Sequence, residues 1–317
     1  MAKLKGLLLT EGMHGMISQA EGLARALDLD FIHEKIELNN FWKRFPPKVT
    51  PIQDFVFKNK INSQFDIVIS CGRKSVIPSI YLKKKFKKKI VNIHIQEPKV
   101  SLNNFDFVVA PEHDGLIGKN VLNSKGAIHY LTSNELDQNE SYLKDKIDNQ
   151  KKIVTLIIGG PTKHYNYNLK ILNEIFKKIE NIFLNNDYQL IVIPSMRTPQ
   201  HIIDNAKAFF DDGQIVIPKV DKKAYLSALR ISNHIIVTCD STSMISEAAI
   251  TGKPIYVAQM PAVKNDQRFK SFFNLFETLN IIKPLNNSLE NWTYTKLNET
   301  NRIADQLKNK IKQHDFS

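Results

Sequence analysis

IIVTCDSTSMISEAAITGKPIYVA, residues 235–258, holds two apolar strand-like runs around one short helix. Residues 235–239, four β-branched residues followed by Cys239, form a buried-looking strand. Asp240, Ser241, Thr242 and Ser243 make a polar turn, and Gly252, Lys253 and Pro254 stop the following helix before a second strand begins. A strand, turn, helix and strand in that order build a parallel sheet. Asp240 or Ser241 can cap the helix. The small hydroxyls leave backbone N–H groups facing outward, where the helix dipole favours an anion. Ser243 and Glu247 are four residues apart and share a helix face, with Met244 beside them. A diphosphate at the helix start and a ribose at the Glu247 carboxylate suit this spacing. So does a well-capped helix that binds nothing, because serine caps are common.

Upstream, the same alternation repeats. Strands are expected at residues 153–158, 188–193 and 214–217, and helices at 169–184 and 224–231. In a parallel sheet the carboxyl ends of strands carry the ligand loops. Gly159, Gly160, Thr162 and Lys163 follow the first of these strands, and Ser195, Arg197 and Thr198 the second. With Asp240 to Ser243 they form three loops of small, hydroxyl and cationic residues, suited to phosphate and expected to converge if the sheet is parallel. The first part of the chain alternates in the same way, with strands at 4–9, 31–38, 66–70, 90–95 and 105–110 and helices at 16–27 and 76–84. Its strand-end loops are richer in acids and histidine, including Glu11, His14 and His113. Residues 140–152 are charged and lack apolar runs, which reads as a linker. The expected organisation is an α/β protein of two domains with parallel sheets, residues 1–148 and 149–317. The amphipathic helix at 301–313 is assigned to the second.

The 317 residues and 42% hydrophobic content allow two ordinary cores. Lys and Arg number 44 against 32 Asp and Glu, a formal +12, but the excess is scattered lysine beside abundant Asn and Ile and selects no partner. No specific nucleic-acid partner is expected. Cys71 and Cys239 end apolar runs without metal-type spacing, so a reduced, cytoplasmic protein is the default. The amino terminus is too short in apolar residues for a secretory signal, and no run approaches a membrane span. The lysine run at 83–89 is either a solvated helix end or a contact with an anionic membrane or nucleic acid, and a membrane contact would place the protein peripherally on the inner face.

Other constellations are weak. Gly12 and Gly15 have Ser18 where a dinucleotide fingerprint wants a third glycine, and Asn39 and Asn40 follow the second strand instead of an acid. Tyr81 and Lys85 match a YxxxK spacing inside a lysine run that makes the match nearly automatic. No GxSxG elbow supports a hydrolase triad. Glu112, His113 and Asp114 suit either an acid/base or metal cluster or a capping loop.

Read together, TEGMHGMISQAEGLARAL, IHIQEPK, FDFVVAPEHDGL, NVL, LIIGGPTKHY, SMRTP, the opening stretch and QRFKSFF fall in an order that resembles the plant mitochondrial-fission "elongated mitochondria" family and its bacterial relatives. The likeness spans residues 6 to about 285, and the PEHD, GGP and DSTSMISEA blocks carry it. It implies two Rossmann-like domains facing across a cleft, as in GT-B glycosyltransferases. The plant relatives act in mitochondrial division through a dynamin-like partner. Some relatives carry an epimerase label that these residues do not support.

The DSTSMISEAAITGKP block also resembles the donor segment of bacterial GT-B transferases, where a small-residue helix start meets the diphosphate and a glutamate meets the ribose. That likeness implies a nucleotide-sugar donor on the second domain. Its diphosphate would lie on Gly160, Thr162, Ser241 and Ser243, with Arg197 or Lys163 supplying charge. No cofactor or metal is expected, since fixed dipoles and cations can stabilise a departing nucleoside diphosphate. The acceptor is unknown. Its hydroxyl needs a base from Glu11, His14 or His113. The expected function is metal-independent glycosyl transfer related to the cell envelope; the rival is a non-catalytic GT-B-like scaffold acting through protein partners.

Overall fold

The computed structural model describes residues 3–61, 65–210 and 213–312. Two compact units emerge, Met1–Tyr130 together with Asn298–Ser317, and Leu131–Leu297.

In the first unit the chain runs β1 (Lys5–Thr10), α1 (His14–Ala26), β2 (Asp30–Lys35), β3 (Ile67–Cys71), α2 (Val76–Phe86), β4 (Val91–Ile95), β5 (Phe107–Pro111) and β6 (Val121–Ser124). The sheet is parallel, in the order β2-β1-β3-β4-β5-β6. Strands β3 and β4 are buried along their whole length, as continuous Ile and Val runs require when both faces are covered. One face packs against α1, through Ala20, Leu23 and Ala24; the other meets α2, through Val76, Ile77 and Ile80. The first face is completed by the last helix of the chain.

The second unit runs α3 (Ser133–Gln138), β7 (Lys152–Ile158), α4 (Leu169–Ile182), β8 (Tyr188–Pro194), α5 (Gln200–Phe209), β9 (Ile215–Val216), α6 (Lys222–Ile231), β10 (His234–Thr238), α7 (Thr242–Ala248), β11 (Ile255–Ala258), α8 (Gln267–Thr278) and β12 (Ile282–Pro284). Its sheet is also parallel, in the order β12-β11-β10-β7-β8-β9. Helix α4 shows the local logic. The Asn168 side chain caps it at the Lys170 N–H, 2.8 Å away, and Leu172, Ile175, Phe176, Ile179 and Ile182 recur at helical spacing on the buried face.

Two expectations about the boundary are corrected. The charged stretch 140–152 is no linker: it winds into a 3-10 segment, Glu140–Lys146, whose Leu143 is wholly buried against α6. Ser227 on α6 accepts from the Leu143 N–H at 3.2 Å and donates to the Glu140 carbonyl at 3.0 Å. The last helix, α9 (Glu299–Ile311), belongs to the first unit, not the second. Its Ile303, Ala304, Leu307 and Ile311 join the core beneath α1. Apolar spacing on a terminal helix says that it docks, not where.

The YxxxK pair has no catalytic geometry: the Tyr81 hydroxyl lies 3.4 Å from Asp54, and Lys85 Nζ sits 5.9 Å above the Tyr81 ring. Lys83 of the lysine run pairs with Asp106 at 2.6 Å and donates to the Ile90 carbonyl at 2.7 Å. Cys71 and Cys239 are free and buried. Among the described residues no helix is long and apolar enough to cross a membrane.

Candidate functional site

Strand order shows where a ligand site would lie in the second unit. From β7 the chain steps outward to β8 and β9, then returns to the other side of β7 for β10 and continues through β11 to β12. The direction reverses between β7 and β10, and ligands of open parallel sheets bind at the carboxyl ends of strands beside such a reversal. The loops after β10, β7 and β8 therefore lie side by side, as the sequence reading expects of them.

Asp240 ties the three loops together. Its side chain is fully buried and pairs with Arg197 Nη2 from the β8 loop at 2.7 Å, while Arg197 Nη1 donates to the Gly160 carbonyl at 3.2 Å. The Gly160 N–H donates to Asp240 Oδ2 at 3.2 Å, the Thr238 hydroxyl to Oδ1 at 2.7 Å, and the Tyr167 hydroxyl also reaches Oδ1. Burial, then the adjacent Asp240 carboxylate, push the Tyr167 phenol up, so it stays a donor. The two glycines are required by contact. A Cβ on Gly159 would stand 2.2 Å from Asp240 Oδ2, and one on Gly160 would stand 2.0 Å from the Arg197 carbonyl oxygen.

The helix after β10 is capped by Ser241, whose hydroxyl accepts from the Met244 N–H at 3.4 Å. The Thr242 and Ser243 N–H groups of the first turn have no partner within the helix. One turn on, Glu247 is partly buried and accepts from the Tyr225 hydroxyl at 2.7 Å. Burial raises its carboxyl to about 7, and the Tyr225 hydrogen bond works against that rise.

These contacts revise several expected roles. Asp240 does not cap α7 and faces the interior, and Arg197 is engaged with Asp240 and Gly160, so neither is a free group for an anion. Ser195 and Thr198 stabilise their own loop: Thr198 Oγ1 accepts from the Ser195 N–H at 2.8 Å and lies 2.6 Å from the Gly159 carbonyl. Thr162 Oγ1 accepts from the His164 and Tyr165 N–H groups, both at 3.1 Å. Lys163 is exposed, and Ser243 and Met244 are partly exposed at the α7 start. Sequence reasoning missed Tyr167, Thr238 and Tyr225. No spacing rule links position 167 to 240, or 225 to 247, because each pair meets only across the folded sheet.

In the first unit the reversal falls between β1 and β3. Glu11 bridges these strands' loops. It accepts from the Lys74 N–H at 3.0 Å and pairs with Lys74 Nζ at 3.1 Å. His14, at the start of α1, is exposed, with Nε2 3.4 Å from the Tyr130 hydroxyl. The His113 side chain is buried, 3.7 Å from Asp114, and follows β5. Three strand spacings separate β5 from β1, about 14 Å, so Glu11 and His113 follow strands that are not neighbours.

The mitochondrial fission ELM1 family profile matches residues 14–311. The chain belongs to the mitochondrial fission ELM1 family. Uncharacterized protein RP120 of Rickettsia prowazekii (strain Madrid E) is 28% identical to this ELM1-family chain, covering 78% of it and 80% of RP120. Mitochondrial fission protein ELM1 of Arabidopsis thaliana is 23% identical, covering 79% of this chain and 65% of its own length, so the chain spans less than two thirds of the plant protein. Among solved structures, UDP-GlcNAc 2-epimerase of Methanocaldococcus jannaschii superposes with a TM-score of 0.54 at 14% identity, over 96% of this chain and 99% of that one. The glycotransferase of kitacinnamycin gives 0.54 at 11% identity, over 99% and 96%. At such identities the likeness speaks for the fold: this ELM1-family chain has the GT-B-like α/β architecture found in nucleotide-sugar epimerases and glycosyltransferases.

Proposed function

We propose that the second unit binds a nucleotide-sugar at the β7–β10 reversal and that the protein transfers the sugar to an acceptor. The reading rests on one arrangement: three loops on adjacent strands are held by the buried Asp240–Arg197 pair, with the Glu247 carboxyl one helical turn from the α7 start. The ribose hydroxyls would donate to Glu247, and the diphosphate would lie over the Thr242 and Ser243 N–H groups, with the Ser243 and Thr162 hydroxyls and Lys163 beside it. In the reaction an acceptor oxygen forms the new bond to the anomeric carbon as the bond to the diphosphate oxygen breaks. The electron pair leaves with the nucleoside diphosphate and the acceptor proton passes to a base. His14 is the best-exposed of the three candidates, whereas Glu11 is paired with Lys74 and His113 is buried. A role at the cell envelope and a place on the inner face of a membrane extend the same proposal.

A non-catalytic scaffold is the second reading. It is favoured by the internal pairing of Asp240 with Arg197 at one reversal and of Glu11 with Lys74 at the other. Thermal shift against UDP-, GDP-, CMP- and TDP-sugars separates the two. The enzyme reading expects stabilisation by one of them, loss of that stabilisation in Glu247→Ala, and release of the nucleoside diphosphate on turnover. A panel without any shift, with Glu247→Ala indistinguishable from wild type, sinks it.

A further inference from the structure

The loop after β2 carries a feature that the nucleotide site does not use. Phe41 and Val49 are each 61% exposed and Phe55 is 55% exposed. The rings of Phe41, Trp42, Phe45 and Phe55 nevertheless touch one another, with centroids 4.8 to 6.2 Å apart. Exposed apolar residues scattered singly are ordinary, but a contiguous cluster of rings marks a surface that meets something. Short 3-10 turns at Trp42–Arg44 and Pro47–Val49 flank Pro46, and Trp42, half-buried against the core under α2, anchors the exposed rings of Phe41, Phe45 and Phe55. Lys43, Arg44 and Lys48 stand exposed among them, and residues 41–50 contain no carboxylate. None of the three cations forms an ion pair among the described residues. The flanking acids are engaged elsewhere: Glu37 pairs with Lys58 at 3.6 Å, and Asp54 accepts from the Tyr81 hydroxyl at 3.4 Å.

We propose that residues 41–55 are the seat by which the first unit rests on an anionic phospholipid bilayer. Aromatic rings settle at the boundary between headgroups and acyl chains, and unpaired cations beside them attract anionic headgroups. Charge complementarity chooses this occupant. A second copy of the chain would bring the same three cations against each other, and a purely apolar partner would leave them desolvated. The lysine run at 83–89 is not this seat: its Lys83 is paired with Asp106, its Lys85 stands over the Tyr81 ring, and among the described residues it has no cluster of exposed rings beside it.

Sedimentation of the whole protein with vesicles tests the proposal. Wild type is expected to bind phosphatidylcholine vesicles containing phosphatidylglycerol far better than phosphatidylcholine alone. Binding should weaken as salt rises from about 0.1 M to about 1 M, which shortens the Debye length from about 10 to about 3 Å. Lys43→Glu/Arg44→Glu/Lys48→Glu and, separately, Phe41→Ser/Phe45→Ser should each weaken binding about tenfold or more, whereas Lys84→Glu/Lys85→Glu should change it less than about threefold. In a Trp292→Phe background Trp42 is the sole tryptophan, and its emission should shift to the blue on anionic vesicles. That measurement does not depend on whether the loop variants fold. Failure of wild type to sediment, an unshifted Trp42 spectrum, or equal loss in the Lys84/Lys85 variant overturns the proposal. So does a loop variant that turns a dimer into a monomer while vesicle binding persists. None of these readouts involves a nucleotide-sugar.

Discussion

Replacing Arg197 with Met takes the cation away from a carboxylate with no exposed surface, while Tyr167, Thr238 and the Gly160 N–H still donate to it. Removing one partner of such a pair leaves a buried charge uncompensated. We expect Arg197→Met to lower stability by about 3 kcal/mol in urea unfolding, the low end for buried pairs because Arg197 itself is half exposed. Glu247 behaves differently. Its folded pKa, about 7, lies above the ordinary 4.5, so the folded state holds the proton more tightly than the unfolded chain does. The stabilisation is full below about pH 4.5 and is lost as pH rises through about 7. The stability of wild type relative to Glu247→Gln should therefore fall across that window and level off above it, by about 2 kcal/mol in total once partial exposure is allowed for. Urea midpoints for both proteins at several pH values check this. A ribose bound to the charged form would add the opposite trend to ligand affinity.

At the scale of elements, α9 is the test piece. Leu307 is wholly buried beneath α1, so Leu307→Ala removes packed methyl groups from the first unit's core and is expected to cost about 3 kcal/mol. Amide exchange should quicken in β1 and β3 while β7 and β10 stay protected. The same helix shows how far the sequence could be read. Runs such as DIVIS and IIVTC announce strands buried on both faces, and Ser241 is legible as a cap because its place before a helix leaves it one task. The parallel order follows from alternation, and with it the adjacency of the loops after β10, β7 and β8. Lost to sequence were short elements with little periodicity, such as β12 and α3, and the destination of α9. In the site, residue types at strand ends were readable but their partners were not. A buried aspartate and a ligand-binding aspartate look alike until Tyr167 and Arg197 are seen reaching the same carboxylate.

Over the whole molecule, each sheet buries one neutral histidine. His94 of β4 bonds the Ser70 hydroxyl at 2.8 Å and is pushed down to about 3 by burial; His234 of β10, between the Tyr188 hydroxyl and the Glu290 carbonyl, is also lowered by burial. The unfolded chain takes up these protons below about pH 6.5 more readily than the folded sheets do. Stability is therefore full above that pH and declines as pH falls, by up to about 1.4 kcal/mol per pH unit for each histidine. Glu247 gains stability in the same direction, so Glu247→Gln should show the steeper acid loss. Urea midpoints between about pH 7.5 and about pH 5 read both slopes.

The docking of α9 also sets an order in time. Leu131–Leu297 is continuous and lies between the two parts of the first unit, so the whole second unit is synthesised before the helix that covers one face of the first unit's sheet. Domains ordinarily fold from the amino terminus as they emerge. Here the first unit must wait for α9, made after the whole second unit, and holds Leu23, Ile69 and Ile93 incompletely covered until then. A chain cut before Glu299 would leave that face of the first sheet uncovered.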